Sequence, residues 1–337
     1  MKFTVYKDDI INQLNNLQRV TSKAQPNILI KAEDDFIVLS STNGSIILEY
    51  KIEARNVSGE AVSVNAKEIY SIFDRLQDKI EFDNGKIKCG KIKLQIAIEE
   101  NIKLEPTSLT FNEGKIINLN NFKEVIKKRL FACRKDDVNA ILRSICINGN
   151  EVCATDSNVL SLGIFEQEIG NFLISQEVVN EIIKCFDGEN IEIAEQGNKV
   201  LYKSDNVKII GFKVVGEYPK YKQIIPHYTC EGVELISKNL LKNLEILKLI
   251  VDEYKKIKFT LKENKLLLSV LTTKNIGEIE QEVKYKGENF EAYFNVEYFI
   301  DIIKNCNSEK VIMKFDNPIS PCTFEANNDY MILMPMR

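Results

Sequence analysis

Lys123, Lys127 and Arg134 fall on one stripe of a helix expected over residues 121–135, with Lys128 and Lys135 beside them. Phe122, Ile126 and Leu130 take the opposite face. A row of cations at this spacing suits long-range contact with phosphate, although a solvated helix face produces the same pattern. Milder polar stripes recur elsewhere. One holds Asn12, Asn16, Arg19 and Lys23, and another holds Lys238 and Lys242, with Lys256 beyond them. Bond-making chemistry finds no comparable constellation. His227 is the one histidine, in a Pro226-His227-Tyr228 stretch, so a zinc site lacks its ligands. The eight cysteines (Cys89, Cys133, Cys146, Cys153, Cys185, Cys230, Cys306, Cys322) form no C-x-x-C pair and read as reduced thiols. No P-loop, G-x-G-x-x-G or G-x-S-x-G is present. The acidic pairs Asp8-Asp9, Asp34-Asp35 and Asp136-Asp137 suit caps, turns or surface. No catalytic residue, metal or cofactor is expected, and the chain reads as a binding protein.

The second feature is the apolar ending, Tyr330-Met331-Ile332-Leu333-Met334-Pro335-Met336-Arg337. Chain ends are polar and frayed unless tied down. Tyr330 to Leu333 favour a strand, and Met334 and Met336 are adaptable gap-fillers. Pro335 cannot donate to a ladder and should end the pairing. The reading is an edge strand whose end leaves soft apolar side chains beside a groove for short peptides. A last core strand is the alternative.

These features must be held by a sizeable scaffold. The 337 residues are 44% apolar and 28% charged, enough for two or three globular domains. No run approaches the roughly 18 apolar residues of a membrane span. The opening Met1-Lys2-Phe3-Thr4-Val5-Tyr6 reads as a strand and not as a signal peptide, so a cytoplasmic location without membrane partners is expected. A net charge of −4 opposes nucleic-acid binding unless the cations are segregated to one face.

The chain reads as three passes of one plan, roughly 110 residues each, a typical domain size. Each pass opens with a strand and a long amphipathic helix, continues through alternating strands, and carries a second, shorter helix. The first helices are expected over residues 8–23, 121–133 and 238–255. The second are expected over 66–77, 176–186 and 296–306, with Asn65, Ser175 and Asn295 as N-caps. Asp83-Asn84-Gly85, Asn148-Gly149-Asn150, Gln196-Gly197-Asn198 and Glu263-Asn264 mark hairpin turns. The expected domains are residues 1–113, 114–230 and 231–337.

Several segments resemble the bacterial DNA polymerase III beta subunit family, the sliding clamps. Met1-Lys2-Phe3-Thr4-Val5 is similar to the family's opening strand. Phe131-Ala132-Cys133-Arg134-Lys135-Asp136-Asp137-Val138, followed by Ile141-Leu142, resembles the end and exit of the first helix of its second domain. Val152-Cys153-Ala154-Thr155-Asp156 resembles its central Ala-Thr-Asp strand. Glu217-Tyr218-Pro219-Lys220-Tyr221-Lys222-Gln223-Ile224-Ile225-Pro226 resembles its Phe-Pro-x-Tyr-x-x-x-x-Pro segment, and Met334-Pro335-Met336-Arg337 its end. The resemblance spans essentially the whole chain. It implies an α+β chain of three repeated DNA-clamp domains, each with two helices on antiparallel sheets, closing as a head-to-tail dimeric six-domain ring. The implied function is a non-catalytic polymerase processivity factor that encircles duplex DNA without reading bases. The implied partners are duplex DNA, a second copy of the chain, the polymerase III alpha subunit, the clamp loader and other proteins with clamp-binding motifs. The location would be the cytoplasm, at the nucleoid during replication.

On this resemblance Arg19, Lys23, Lys123, Lys127, Lys128, Arg134, Lys135, Lys238 and Lys242 would face DNA. A peptide groove between domains two and three would hold Leu142, Thr155, Leu160, Pro219, Ile224, Tyr254, Asn295, Tyr298, Ser320, Ile332, Met334, Pro335, Met336 and Arg337. Leu142, Leu160, Ile224 and Met334 would form its apolar floor, and Arg337 could pair with a peptide carboxylate or carbonyl. Ring closure would join the strand around residues 94–98 to the helix around residues 248–251 of a second copy. Departures from the family pattern are local. Ser157-Asn158-Val159 replaces the usual Gly-His-Arg after Ala-Thr-Asp, Gln223 replaces a frequent basic residue, and the usual final leucine is absent. The second helix of the middle pass opens Ser175-Gln176-Glu177, with Glu181 one turn on, where the family is basic. Gln25 precedes Pro26 in the loop after the first helix, where the family has a basic residue. A weakly basic channel and an altered groove rim are therefore expected. The competing reading is a clamp-fold scaffold that binds partners without encircling DNA.

Overall fold

The computed structural model describes residues 1–100, 114–135, 139–228, 230–327 and 329–337. The Asp136-Asp137-Val138 part of the resembling segment lies outside the described residues. Six α-helices occur among them: α1 (Lys7–Val20), α2 (Ala66–Arg75), α3 (Leu119–Lys127), α4 (Gln176–Cys185), α5 (Ser237–Lys248) and α6 (Val296–Cys306).

Each helix buries one apolar stripe. On α1, Ile10, Leu14, Leu17 and Val20 recur at three- and four-residue spacing and are buried; on α5, Leu240, Leu244 and Leu247 do the same. Asn65 and Asn295 cap α2 and α6 as expected. Asn65 Oδ1 accepts from the Glu68 N–H, and Asn295 Oδ1 accepts from the N–H groups of Glu297 and Tyr298. The first helices are shorter than expected. α1 stops at Val20 with Thr21 extended, and α5 stops at Lys248. Lys255 then takes a left-handed φ of 53° before the strand Lys256–Lys262. α3 ends at Lys127, and only a 3-10 turn, Leu130–Ala132, follows.

The chain folds into two compact units. The first comprises Met1–Lys123 and Glu177–Lys213. It holds a five-stranded antiparallel sheet in the order 55–58, 2–6, 79–83, 86–89, 92–95. Its second sheet has nine strands in the order 99–100, 62–65, 27–33, 36–42, 46–53, 207–212, 199–203, 190–196, 115–118. The second unit comprises Glu124–Gln176 and Val214–Arg337. Its eight-stranded sheet runs 170–175, 144–149, 151–155, 159–164, 329–333, 322–326, 310–314, 233–236, and its four-stranded sheet runs 276–282, 265–271, 256–262, 290–295. The middle third of the sequence thus contributes strands to one sheet of each unit. A sheet hydrogen-bonded across a sequence boundary holds both sides in one body, so these units divide the chain differently from the repeat plan.

The turn signals fall where hairpins form. Asn84 (φ 46°) and Gly85 (φ 82°) join Lys79–Asp83 to Lys86–Cys89. Glu263 (φ 51°) and Asn264 (φ 63°) join Lys256–Lys262 to Lys265–Leu271. Both pairs have the two positive φ angles of a hairpin turn matched to strand twist. The ending departs from the edge-strand reading. Asp329–Leu333 is an interior strand, paired with Val159–Ile164 on one side and Cys322–Ala326 on the other, and Met331, Ile332 and Leu333 are buried.

Candidate functional site

Leu160 and Ile332 are direct cross-strand partners, and both are buried. They share a cluster with Cys146, Cys153, Leu173 and Tyr221, against which Tyr218, Ile225 and Tyr330 pack. The segment after Val214 is therefore folded onto this face of the eight-stranded sheet. Polar bonds pin it there. The Thr155 N–H donates to the Tyr218 hydroxyl (2.9 Å), and the Tyr221 hydroxyl donates to Glu151 (2.8 Å). Lys222 pairs with the same carboxylate at 2.7 Å. These pairings hold Glu151 below the usual carboxylate range against the opposing effect of burial.

The rim follows from two short turns. Asp156 Oδ1 accepts from the N–H groups of Asn158 and Val159, and Thr155 Oγ1 accepts from the Ser157 N–H. Ser157 sits at φ 84°, where glycine costs least. The Met334 N–H still pairs with Asn158 O (2.9 Å). Pro335 has no donor, and the Met336 N–H then bonds Tyr293 O (2.7 Å) at the open edge of the strand Phe290–Asn295. The tail thus leaves one sheet of the C-terminal unit and lies along another. Lys256 Nζ donates to Arg337 O (3.1 Å) and stands 4.2 Å from the centroid of the Tyr293 ring.

The expected groove residues are all in the C-terminal unit. Leu142, Thr155, Leu160 and Ile332 form buried support, whereas Ile224 (53% exposed), Met334 (39% exposed) and Pro219 reach the surface. Tyr254 is exposed, and Pro335, Met336 and Ser320 are half-buried. Asn295 and Tyr298 line a cleft of about 400 Å³ with Asp156, Asn158, Lys255 and Glu297. The Tyr298 hydroxyl donates to Asp156. Burial, then that carboxylate, raises the Tyr298 phenol above its usual range. Glu297 is held low by its hydrogen bond from Lys255, at 2.5 Å, and by Lys248.

The cationic stripe does not form as expected. Lys123 donates to Phe186 O, and Lys128 pairs with Asp329 (2.8 Å) and Glu124 (3.0 Å). Arg134 and Lys135 lie beyond the end of α3 and line the cleft beside Tyr298. Lys127 is exposed on α3, as are Lys23, Lys238 and Lys242 in their own segments. Arg19 bonds Asn16 (2.7 Å) and stands 3.8 Å from Glu181.

The residue that sequence reasoning missed is Arg129. Its side chain is 0% exposed, and Nη2 donates to Asp329 (2.6 Å) and Leu162 O (2.8 Å). Burial pushes its guanidinium down while Asp329 opposes that shift. A signal was present: Arg129 follows Phe122 and Ile126 on the inward stripe. The regular cationic face ends where α3 ends, at Lys127.

Among the described residues no group of three His, Cys, Asp or Glu side chains could hold a metal, and no helix is long and apolar enough to cross a membrane. A sequence model of the DNA polymerase III beta subunit N-terminal domain matches residues 1–105, and one of its C-terminal domain matches residues 222–337. The beta sliding clamp of Chlamydia pneumoniae is 22% identical over 366 residues, covering 100% of this chain and 99% of that protein. That of Buchnera aphidicola is 25% identical over 375 residues, covering 100% of both. The crystal structure of the DNA polymerase III subunit beta from Pseudomonas aeruginosa superposes with a TM-score of 0.92 at 19% identity, covering 100% of both chains. A sliding clamp from Bartonella birtlesii bound to griselimycin gives 0.92 at 20% identity, again covering 100% of both. With the sliding-clamp fold in both units and the family's own domain models matching each end, the chain belongs to the DNA polymerase III beta subunit family, the beta sliding clamps.

Proposed function

We propose that two copies of this chain close head to tail into a ring around duplex DNA and tether replication proteins through the face that carries Met334. Three repeated domains per copy, at residues 1–113, 114–230 and 231–337, would make a ring of six. The polymerase III alpha subunit, the clamp loader and proteins with related short motifs would be its partners. The chain would act in the cytoplasm and without catalysis of its own.

The observation that carries this reading is a pair of open sheet edges. The five-stranded sheet of the N-terminal unit ends on Ile92–Gln95, with Ile92 and Leu94 exposed. The four-stranded sheet of the C-terminal unit ends on Ile276–Glu282. Around that edge Ile276, Leu271 and Leu249 are exposed. Glu278, Glu280 and Glu282 alternate along the acidic edge, and Lys91 and Lys93 flank the other. Open apolar edges invite pairing, and two different edges on one chain give a heterologous contact that closes if the rotation allows. Opposite charges would fix which edge meets which.

On nicked circular duplex the loaded protein is expected to stay bound through gel filtration and to be lost once the circle is cut. Equal loss from both, with a persistent monomer in light scattering, would support the scaffold reading instead. Peptides of the Gln-Leu-x-Leu-Phe type are expected to bind the Met334 face. Met334→Ala should weaken them about five- to tenfold, since truncating a contact of this size costs on the order of 1 kcal/mol. Unchanged affinity in calorimetry would remove Met334 from the groove.

A further inference from the structure

We infer that Glu181 is an electrostatic brake on the DNA grip, holding Arg19 of α1 away from phosphate. The inference rests on the ring reading above, on which Arg19 of α1 faces DNA and α4 carries acidic residues where the family is basic. Glu181 lies on α4 with its side chain only 12% exposed, and its two oxygens are divided between cations. Oε2 is 3.8 Å from Arg19 Nη2, and Oε1 is 3.5 Å from Lys184 Nζ. Cys185 Sγ donates to Oε2 at 3.5 Å, fixing the carboxylate from its own helix. Arg19 is held from its own side as well, because Nη2 donates to Asn16 Oδ1 at 2.7 Å and Asn16 Nδ2 donates to the Tyr50 hydroxyl at 2.6 Å.

The consequence is electrostatic. A carboxylate with little access to water is poorly screened, and here it meets two cations that could otherwise release counterions by meeting phosphate. Each phosphate contact contributes about 0.9 to the slope of log affinity against log salt, so engaged cations subtract from that slope. A clamp that must slide gains mobility from this arrangement, since weaker backbone attraction means lower barriers between successive phosphates.

The test is binding to a short duplex, read by fluorescence anisotropy over a series of salt concentrations. Glu181→Gln keeps the acceptor for Cys185 and removes the charge. It should steepen the salt slope by about 0.9, or by about 1.8 if Lys184 is released too. Glu33→Gln removes the same charge from another pair, with Lys51 at 3.4 Å, and should leave the slope unchanged. An unchanged slope in Glu181→Gln, or an equal change in both variants, overturns the inference. Should Glu181→Gln fail to fold, Arg19→Gln carries the test, because Arg19 is already engaged. Its slope should fall by less than half of one contact, and loss of a full contact overturns the brake. Failure of the ring reading itself would look different: the wild-type protein would show no preference for circular over linear DNA.

Discussion

Gly163→Ala should destabilise the C-terminal unit by about 3–5 kcal/mol, the range for breaking a buried ion pair from one side. The reason is geometric. A Cβ on residue 163 would stand 1.7 Å from Arg129 Nη2 and 2.4 Å from Cζ, so the guanidinium must leave. It has nowhere polar to go, being 0% exposed, with Nε and Nη1 already lacking hydrogen-bond partners. Leaving strands Asp329, itself largely buried, with Lys128 as its remaining cation. Asp329 opens the strand that carries Ile332 and leads to Met334, so the damage reaches the groove. Urea unfolding is expected to show the loss, with a melting shift of order 10 °C. Arg129→Met in the same chain should recover part of it, because an apolar side chain needs no acceptor and can yield to the new methyl. A Gly163→Ala variant within about 0.5 kcal/mol of wild type would mean that Arg129 can relocate at no cost.

This ion pair also marks the limit of what the sequence discloses. Local signals were legible: Asn65 and Asn295 cap their helices, and Asn84-Gly85 and Glu263-Asn264 turn their hairpins, because each depends on a few adjacent residues. The resembling segments led to the family through the same short-range chemistry. Long-range pairings were not legible. The stripe of Phe122 and Ile126 points Arg129 inward, but Asp329 is two hundred residues away, so nothing near Arg129 in the sequence reveals the carboxylate that receives it. The same holds for the tail, whose apolar character fits an edge strand and a last core strand alike, and only the pairing on both sides decides for the second. Helix ends failed for a related reason. The amphipathic pattern after Lys248 continues in sequence, but Lys255 must turn left-handed to enter the next strand, with its N–H bonded to Asp252 O.

Leu249→Glu combined with Ile276→Glu should leave a folded monomer that no longer stays on circular DNA. Leu249 is 83% exposed and Ile276 is 76% exposed, so neither supports the core of its own unit. They belong to one surface. Asn275 Nδ2 donates to Ile250 O at 3.2 Å, tying the end of α5 to the outer strand, and a Cβ on Gly277 would stand 2.5 Å from Ile250 Cδ1. If this edge meets Ile92–Gln95 of a second copy, burying two such side chains contributes about 3–6 kcal/mol per interface. Their loss alone raises the dissociation constant by roughly a hundredfold to ten-thousandfold. Two further carboxylates beside Glu278, Glu280 and Glu282 add the cost of desolvating charge and crowd an already acidic strand. Light scattering should therefore report a monomer at micromolar concentration, with an unchanged melting temperature. Peptide affinity should survive, because the Met334 tail meets this sheet only at its opposite edge, on the strand Phe290–Asn295, and needs no second copy. That separation makes the variant decisive. A dimer that persists would move the interface elsewhere on the chain. A monomer that still remained on circles would mean that retention comes from direct contact and not from topological closure.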